Sequence, residues 1–386
     1  MKTSLKIAAL LSPAALTLAS CSTAKDVDTQ ESAAKAADAI AFTTEEHGTF
    51  DKGWAAAFVP GTASMVVTEK GGGLFLYDTN SRAKTAISGA PTVAYGGQGG
   101  LGDVAFLNSE TNGALGSRTI YLSWAQAGDG KTRGAVVGKG TLNCAQACSI
   151  DGLTVIWKQA PKVEGRGHYS HRLLISPDER HLFVASGDRQ KKTPAQNNSN
   201  TLGTIVRLNL DGTPALGNPW ANKPSPTNQI WSWGHRNILG MDWDADGRLW
   251  EIEHGPAGGD ELNLVKQAAN YGWPVRSNGE NYNGDPIPDH TADDGFVKPV
   301  MHWTPVLAPG DMLVYRGDMF AAWKGDAIVA GLRTQGIVHL DLNGETASEV
   351  ARYELGGRMR ALAEGPDGAL WVLEDGDNGR LLKLTL

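Results

Sequence analysis

Glycine is absent from the first 47 residues of this 386-residue chain, and cysteine occurs only three times. The longest leading apolar stretch, Ile7 to Leu18, is too short to cross a bilayer as a helix. With 20% charged and 41% hydrophobic residues, the composition excludes a disordered chain, a coiled coil and a multispan membrane protein. A net charge of −7 together with 12 tryptophans argues against nucleic acid as a partner. What is present lies downstream: all 48 glycines fall within the 344 residues from Thr43 onward, so turns dominate that region.

Residues 1–20 are built like an export signal, with Lys2 and Lys6 preceding the apolar stretch and small residues following it. The run Leu18-Ala19-Ser20-Cys21 resembles a bacterial lipobox, which implies cleavage before Cys21 and acylation of that cysteine. Loss of the leader takes the net charge to −9. Ser22 after the cysteine implies outer-membrane sorting in a Gram-negative cell, and residues 21–42 read as a polar, alanine-rich tether between lipid and domain. Cys144 and Cys148 either close a small loop disulfide in an oxidising compartment or remain free thiols; two cysteines alone make a poor metal site.

From Thr43 onward short alternating apolar runs are broken by Asp-Gly or Pro-Asp turns. Ser176-Pro177-Asp178 leads to Leu182-Phe183-Val184, Asp244-Ala245-Asp246-Gly247 to Leu249-Trp250-Glu251-Ile252, and Gly365-Pro366-Asp367-Gly368 to Leu370-Trp371-Val372-Leu373. The leucines are 67 and 121 residues apart, one and two units of about 60 residues, and residues 43–386 hold nearly six such units. The expected fold is therefore all-β, a six-bladed β-propeller of four-stranded antiparallel blades, in preference to tandem β-sandwiches. Only Glu261 to Asn270 reads as helical, as a brief loop helix.

Three polar segments gather residues that bind anions, metals or protons: Arg166 to Leu173 with Ser186-Gly187-Asp188; Trp231 to Asn237 with Glu253 to Glu261; and Gly331-Leu332-Arg333 with Arg358-Met359-Arg360. They contain no phosphate-cradling glycine loop, no Gly-x-Ser-x-Gly elbow and no His-Glu-x-x-His. Gly96-Gly97-Gln98-Gly99-Gly100 lacks the Gly-x-Gly-x-x-Gly spacing and a βαβ context, which argues against a nicotinamide cofactor.

These segments resemble the soluble aldose sugar dehydrogenase and glucose dehydrogenase family, which carries pyrroloquinoline quinone (PQQ) on a six-bladed propeller. The resemblance runs in order through Gly97-Gln98-Gly99-Gly100-Leu101-Gly102-Asp103-Val104, His168-x-x-x-Arg172-Leu173, Trp231-Ser232-Trp233-Gly234-His235-Arg236-Asn237, Glu253-His254-Gly255-Pro256-x-Gly258-Gly259-Asp260-Glu261, Asn270-Tyr271-Gly272-Trp273-Pro274 and Arg358-Met359-Arg360. It implies oxidation of an aldose at its anomeric carbon to a lactone, with PQQ and calcium as cofactors and an electron acceptor that the sequence does not identify.

PQQ is a flat ortho-quinone with three carboxylates, a shape suited to forked cations, and Arg333, Arg358 and Arg360 fit that requirement. The resemblance assigns His168 as general base beside the cofactor, Asp188 as the carboxylate orienting it, and Arg236 to negative charge on the reduced quinone, so that His168 and Arg236 also count as cofactor contacts. Gln98, Asn237, His254 and Tyr282 are assigned to the cofactor's polar edge, although a core position suits Tyr282 almost as well. The Gly255 and Pro256 carbonyls match a catalytic calcium site, and Glu261 and Tyr271 a second, structural one. Trp303 and Trp233 are candidates for the sugar cleft, whereas His47, His171, His181, His290, His302 and His339 read as structural. Two departures stand out: His171 replaces the glycine of His-x-x-Gly-Arg-Leu, and Ile238-Leu239 replaces Pro-Gln after Arg236-Asn237. Two other functions suit a propeller, a calcium-dependent lactone hydrolase and a non-catalytic binding module, and the sequence leaves both monomer and homodimer open.

Overall fold

In a computed structural model, residues 40–145 and 147–386 are described. The leader, Cys21 and all but the last three residues of the expected tether lie outside them. The described chain forms 25 strands in six antiparallel sheets and contains no α-helix.

The first strand, β1 (Thr43–Phe50), is set aside by the fold until the end. Blade one comprises β2 (Gly53–Phe58), β3 (Ser64–Glu69), β4 (Leu74–Asp78) and β5 (Lys84–Ala86). Blade two comprises β6 (Leu101–Phe106), β7 (Ser117–Ala127), β8 (Thr132–Asn143) and β9 (Ser149–Lys158), with the short β10 (Val163–Glu164) continuing its outer edge. Blade three follows with β11 (Ser170–Ile175), β12 (His181–Ser186), β13 (Thr204–Asn209) and β14 (Ile230–Trp233). Blade four holds β15 (Ile238–Trp243), β16 (Leu249–Glu253), β17 (Asp260–Val265) and β18 (Met301–Trp303), and blade five β19 (Pro309–Val314), β20 (Ala327–Gly331), β21 (Gly336–Asn343) and β22 (Thr346–Glu354). Blade six is made of β23 (Met359–Glu364), β24 (Leu370–Glu374) and β25 (Gly379–Thr385), completed by β1.

β1 pairs antiparallel with β25 from Thr43↔Thr385 to Phe50↔Gly379. The N-terminal strand thus closes the ring, which removes the open edge that would otherwise separate the first blade from the last. The three similar turn phrases occupy one corner, between the first and second strands of blades three, four and six, which explains the one-unit and two-unit spacing.

The core follows the repeat. Six apolar clusters each draw on two adjacent blades, among them Trp54, Leu101 and Ile120 between blades one and two, and Trp250, Met312 and Val329 between blades four and five. Nine of the twelve tryptophans belong to these clusters or pack against them. Buried aspartates add a polar stitch between blades. Asp103 accepts the N–H of Val104 (3.0 Å) and that of Leu173 in the next blade (2.8 Å). Asp242 repeats this with Trp243 (2.7 Å) and Val314 (2.7 Å), and Asp311 with Met312 (2.9 Å) and Leu362 (3.0 Å).

Every first strand has a register shift near its start: Gly53/Ala55, Leu101/Val104, Ser170/Leu173, Ile238/Gly240, Pro309/Asp311 and Met359/Ala361. Such bulges re-aim side chains, and here six of them ring one end of the central channel. The expected helix at Glu261–Asn270 is replaced by β17 and a turn. Leu262 and Leu264 enter the interblade core while Glu261 and Asn263 face a buried polar pocket, so both faces are covered and period two prevails over the helical reading.

Candidate active site

The loops ahead of the first strands surround two neighbouring cavities. The first, about 260 Å³, is lined by Trp54, Lys70, Gln98, His171, Asn237 and His254, with Arg358, Arg360 and Asp375 on the far side. The second, about 350 Å³, is lined by His168, Asp188, Arg236, Pro256, Trp273 and Tyr282 with further polar residues. They meet along Arg236-Asn237, and Gln98 joins them because its Oε1 accepts the His168 N–H (2.6 Å).

His168 sits just ahead of β11 with φ of +47°, in the left-handed region uncommon outside glycine. Its Nδ1 lies 2.7 Å from Asp188 Oδ1, so Nδ1 carries the proton and Nε2 is left as the base. Burial lowers the His168 pKa; Asp188 opposes this, and Arg236 adds to the lowering. The Asp188 carboxylate also accepts Trp273 Nε1 (2.8 Å) and the N–H of Gln190 (2.8 Å). Burial by itself would raise its pKa, but the hydrogen bonds from His168, Trp273 and Gln190 outweigh that and hold it below the usual carboxylate range.

Arg236 donates to the His254 carbonyl (2.9 Å) and to the Tyr282 hydroxyl (3.2 Å), and its guanidinium lies 5.1 Å from the Trp273 ring centre. Tyr282 is 77% exposed, which excludes the core alternative. Asn237 Oδ1 faces the Ser170 N–H and hydroxyl (both 3.3 Å). His254 donates Nε2–H to the Pro309 carbonyl (2.8 Å), and burial pushes its pKa down to about 3, so the ring stays neutral.

At the other end of the first cavity, Arg358 and Arg360 share Asp375 Oδ2 at 3.1 and 3.3 Å. Lys70, which sequence reasoning missed, joins them; its Nζ donates to the Gly97 carbonyl (3.1 Å), and burial, then Arg360, lower its pKa. Three cations thus face one carboxylate, an arrangement suited to a flat ligand with several carboxylates. Arg333 is not among them: it is exposed on the loop after β20 and does not line the cavity. Trp303 and Trp233 are also elsewhere. Trp303 is buried between blades four and five with Nε1 on Glu349 (2.8 Å), and Trp233 packs edge-on against Trp220. His171, read as structural, lines the first cavity.

Among the described residues neither the Gly255 nor the Pro256 carbonyl accepts a hydrogen bond, which leaves two hard oxygen donors for a cation. A third, small cavity of about 10 Å³, room for one small ion or water, is lined by Glu253, Gly255, Glu261 and Tyr271. The Tyr271 hydroxyl already donates to Leu264 (2.7 Å) and accepts from Lys266 (2.8 Å), so its main-chain carbonyl is the donor left for a metal. Glu251 and Glu253, also missed, are buried with His235; ligand atoms of these three lie within 4.8 Å of one another. Burial, then Glu253, push the Glu251 pKa to about 7 and the Glu261 pKa well above its usual value. Burial opposes protonation of His235, but bonds to Glu251 and Glu253 prevail and raise its pKa to about 9. Alternating glutamates on β16, a central strand, were the sequence signal for this cluster.

Finally, Cys144 and Cys148 are joined as a disulfide.

The family model described as "Glucose / Sorbosone dehydrogenase" matches residues 50–383. The aldose sugar dehydrogenase YliI of Escherichia coli is 33% identical over 340 residues, covering 87% of this chain and 90% of that protein. Quinoprotein glucose dehydrogenase B of Acinetobacter calcoaceticus is 34% identical over 128 residues, 28% of this chain and 26% of its own length. The crystal structure of the apo-form of the soluble E. coli aldose sugar dehydrogenase superposes with a TM-score of 0.83 at 32% identity, covering 89% of this chain and 99% of that one.

Proposed function

This chain belongs to the glucose/sorbosone dehydrogenase family of oxidoreductases, and from that premise we propose that it oxidises aldose sugars to lactones with PQQ and calcium as cofactors. The observation that carries the reading is the His168–Asp188 pair in the wall of an open cavity of about 350 Å³, which meets along Arg236-Asn237 a cavity edged by Lys70, Arg358 and Arg360. When bound, PQQ supplies a quinone able to accept a hydride from the anomeric carbon, and calcium supplies Lewis acidity.

The protein supplies the rest. Lys70, Arg358 and Arg360 hold carboxylates, and Gln98 and Asn237 offer amides to the polar edge. His168 Nε2 takes the proton of the anomeric hydroxyl, while Asp188 keeps Nδ1 protonated and stabilises the resulting imidazolium. Arg236, fixed by the His254 carbonyl and by Trp273, faces negative charge that develops beside His168. The Gly255 and Pro256 carbonyls and the Glu253–Glu261–Tyr271 pocket fit two oxygen-ligated cations. A hydrolase reading is less well supported, because the deep channel position it needs for a cation is filled by Arg172.

Purified apoprotein is expected to show dye-linked glucose oxidation only after both PQQ and calcium are added, with sugar bleaching the quinone band. PQQ binding without turnover across a broad aldose panel overturns the substrate assignment. Export to the cell envelope is supported by the leader sequence and the Cys144–Cys148 disulfide. We infer outer-membrane anchoring through an acylated Cys21 from sequence; a mature form with an unmodified Cys21 in mass spectra overturns it.

A further inference from the structure

One side chain lining the first cavity has no part in the chemistry above. His171 has φ of +48°, within a stretch where His168 and Ser170 are also left-handed, at +47° and +54°. A glycine would adopt this conformation without strain, whereas an imidazole is held there against its backbone preference.

Three surroundings are shaped to hold it. A Cβ at Gly102 would lie 1.9 Å from the ring's Cε1 and Nδ1, so only glycine at 102 leaves space for this histidine. The ring stacks on Trp54, with centroids 4.6 Å apart and planes 13° from parallel. Ser123 fixes its tautomer. The Ser123 hydroxyl donates its one proton to the His171 carbonyl (2.6 Å) and accepts the Asp103 N–H (2.8 Å). Its 2.9 Å contact with His171 Nδ1 is therefore an Nδ1–H donated to the remaining lone pair. That leaves Nε2 unprotonated. With the Nδ1–Cε1 edge packed on Gly102 and Ser123, the Nε2 edge is the one turned to the cavity, and burial, pushing the pKa down to about 3, keeps the ring neutral.

Along this cavity Lys70, Arg358 and Arg360 can only donate, the amide oxygens of Gln98 and Asn237 already face His168 and Ser170, and Asp375 is held by the two arginines. A PQQ-type ring also has one N–H, on its pyrrole, which needs an acceptor. We propose that His171, held by its stacking on Trp54, is a positioning residue for the cofactor: it presents Nε2 at the edge of the ring system as the acceptor for the pyrrole N–H. This rests on the PQQ reading given above.

The test is a titration of full-length apoprotein with PQQ and calcium, followed by tryptophan fluorescence quenching and by the absorbance band of the bound quinone, without substrate. Relative to wild type, H171G is expected to bind about tenfold more weakly, the worth of one hydrogen bond, and to shift the band. H171Q, which restores an acceptor, is expected to recover part of the affinity and should H171G fail to fold it takes over the comparison with wild type. Affinity and band position unchanged in both variants overturn the assignment of His171 alone. No binding of PQQ by wild type overturns both this assignment and the cofactor reading beneath it.

Discussion

The guanidinium of Arg172 lies 4.1 Å from the ring centre of Trp54, and this contact completes a set that reaches all six blades. From its place in blade three, Arg172 donates to the carbonyls of Leu239 (2.5 Å) in blade four, Gly310 (2.7 Å) in blade five and Arg360 (3.4 Å) in blade six. It also pairs with Asp103 (3.3 Å) of blade two and Asp311 (3.6 Å) of blade five. One buried cation on the axis thus satisfies main-chain acceptors that the bulges of the first strands leave unpaired.

Replacing Arg172 by Met strands Asp103 and Asp311 without a counter-charge. The expected loss is about 3–5 kcal/mol of unfolding free energy, read from urea midpoints at constant slope. The triple variant R172M/D103N/D311N recovers part of it.

Removing the base should stop turnover and spare binding. H168A is expected to lower kcat by about 10²–10⁴-fold with PQQ affinity nearly unchanged in fluorescence titrations. D188N falls in the same direction, because the neutral amide no longer stabilises the imidazolium and must turn its NH2 toward donors that the carboxylate now accepts at both ends.

The pH profile should follow. Protonation of His168 Nε2 removes the base, so kcat/KM falls on acidification, with an inflection below the ordinary histidine value of 6.5 because burial lowers the pKa. Asp188 opposes that lowering, so the residual activity of D188N should have its inflection at still lower pH.

The cation set makes a discriminating prediction. R360A and K70A are each expected to weaken PQQ binding about tenfold or more, the worth of a hydrogen bond between charged groups. R333A should leave the Kd unchanged. The reverse ranking would return Arg333 to the site in solution.

Two features explain why the sequence revealed the propeller yet only part of the site. The turn phrases fall at one corner of each blade, and a corner is a local object that spacing reports. The motif positions around His168, Arg236 and Arg358 are likewise local. Lys70 is not: it reaches the cavity from the turn between β3 and β4, with no neighbouring motif to mark it. Arg333 shared an exposed loop with a good cavity residue, Leu332, and faces outward. At Glu261 the alternation of apolar and acidic residues was read as a helix turn because a fully buried strand with a polar face looks unlike an ordinary strand.

The buried carboxylates predict a linkage between pH and metal. Glu251, Glu261 and His235 all have folded pKa values above their ordinary ones. Their contribution to stability is fully present below the unfolded pKa values and is lost as pH rises, through about 7 for Glu251 and about 9 for His235. In chelator, the urea midpoint should therefore fall between pH 5 and 9, and calcium should flatten that fall. E261Q should be more stable than wild type in chelator at pH 8 and should lose most of its calcium response.

The ring closure has a practical side. β25 runs about 20 Å from Gly379, near the Asp375 end of the cavity, to Thr385, where β1 begins opposite it. Phe42 packs there on Phe320 and Trp323, in the connection at the far end of β19 from the cavity. Both ends of the propeller therefore emerge on the side away from the entrance. A propeller of residues 43–386 immobilised on an electrode or bead through either of its own ends would stand with its mouth toward the solution, so a coated surface should keep its sugar access whichever of these two ends carries the linker.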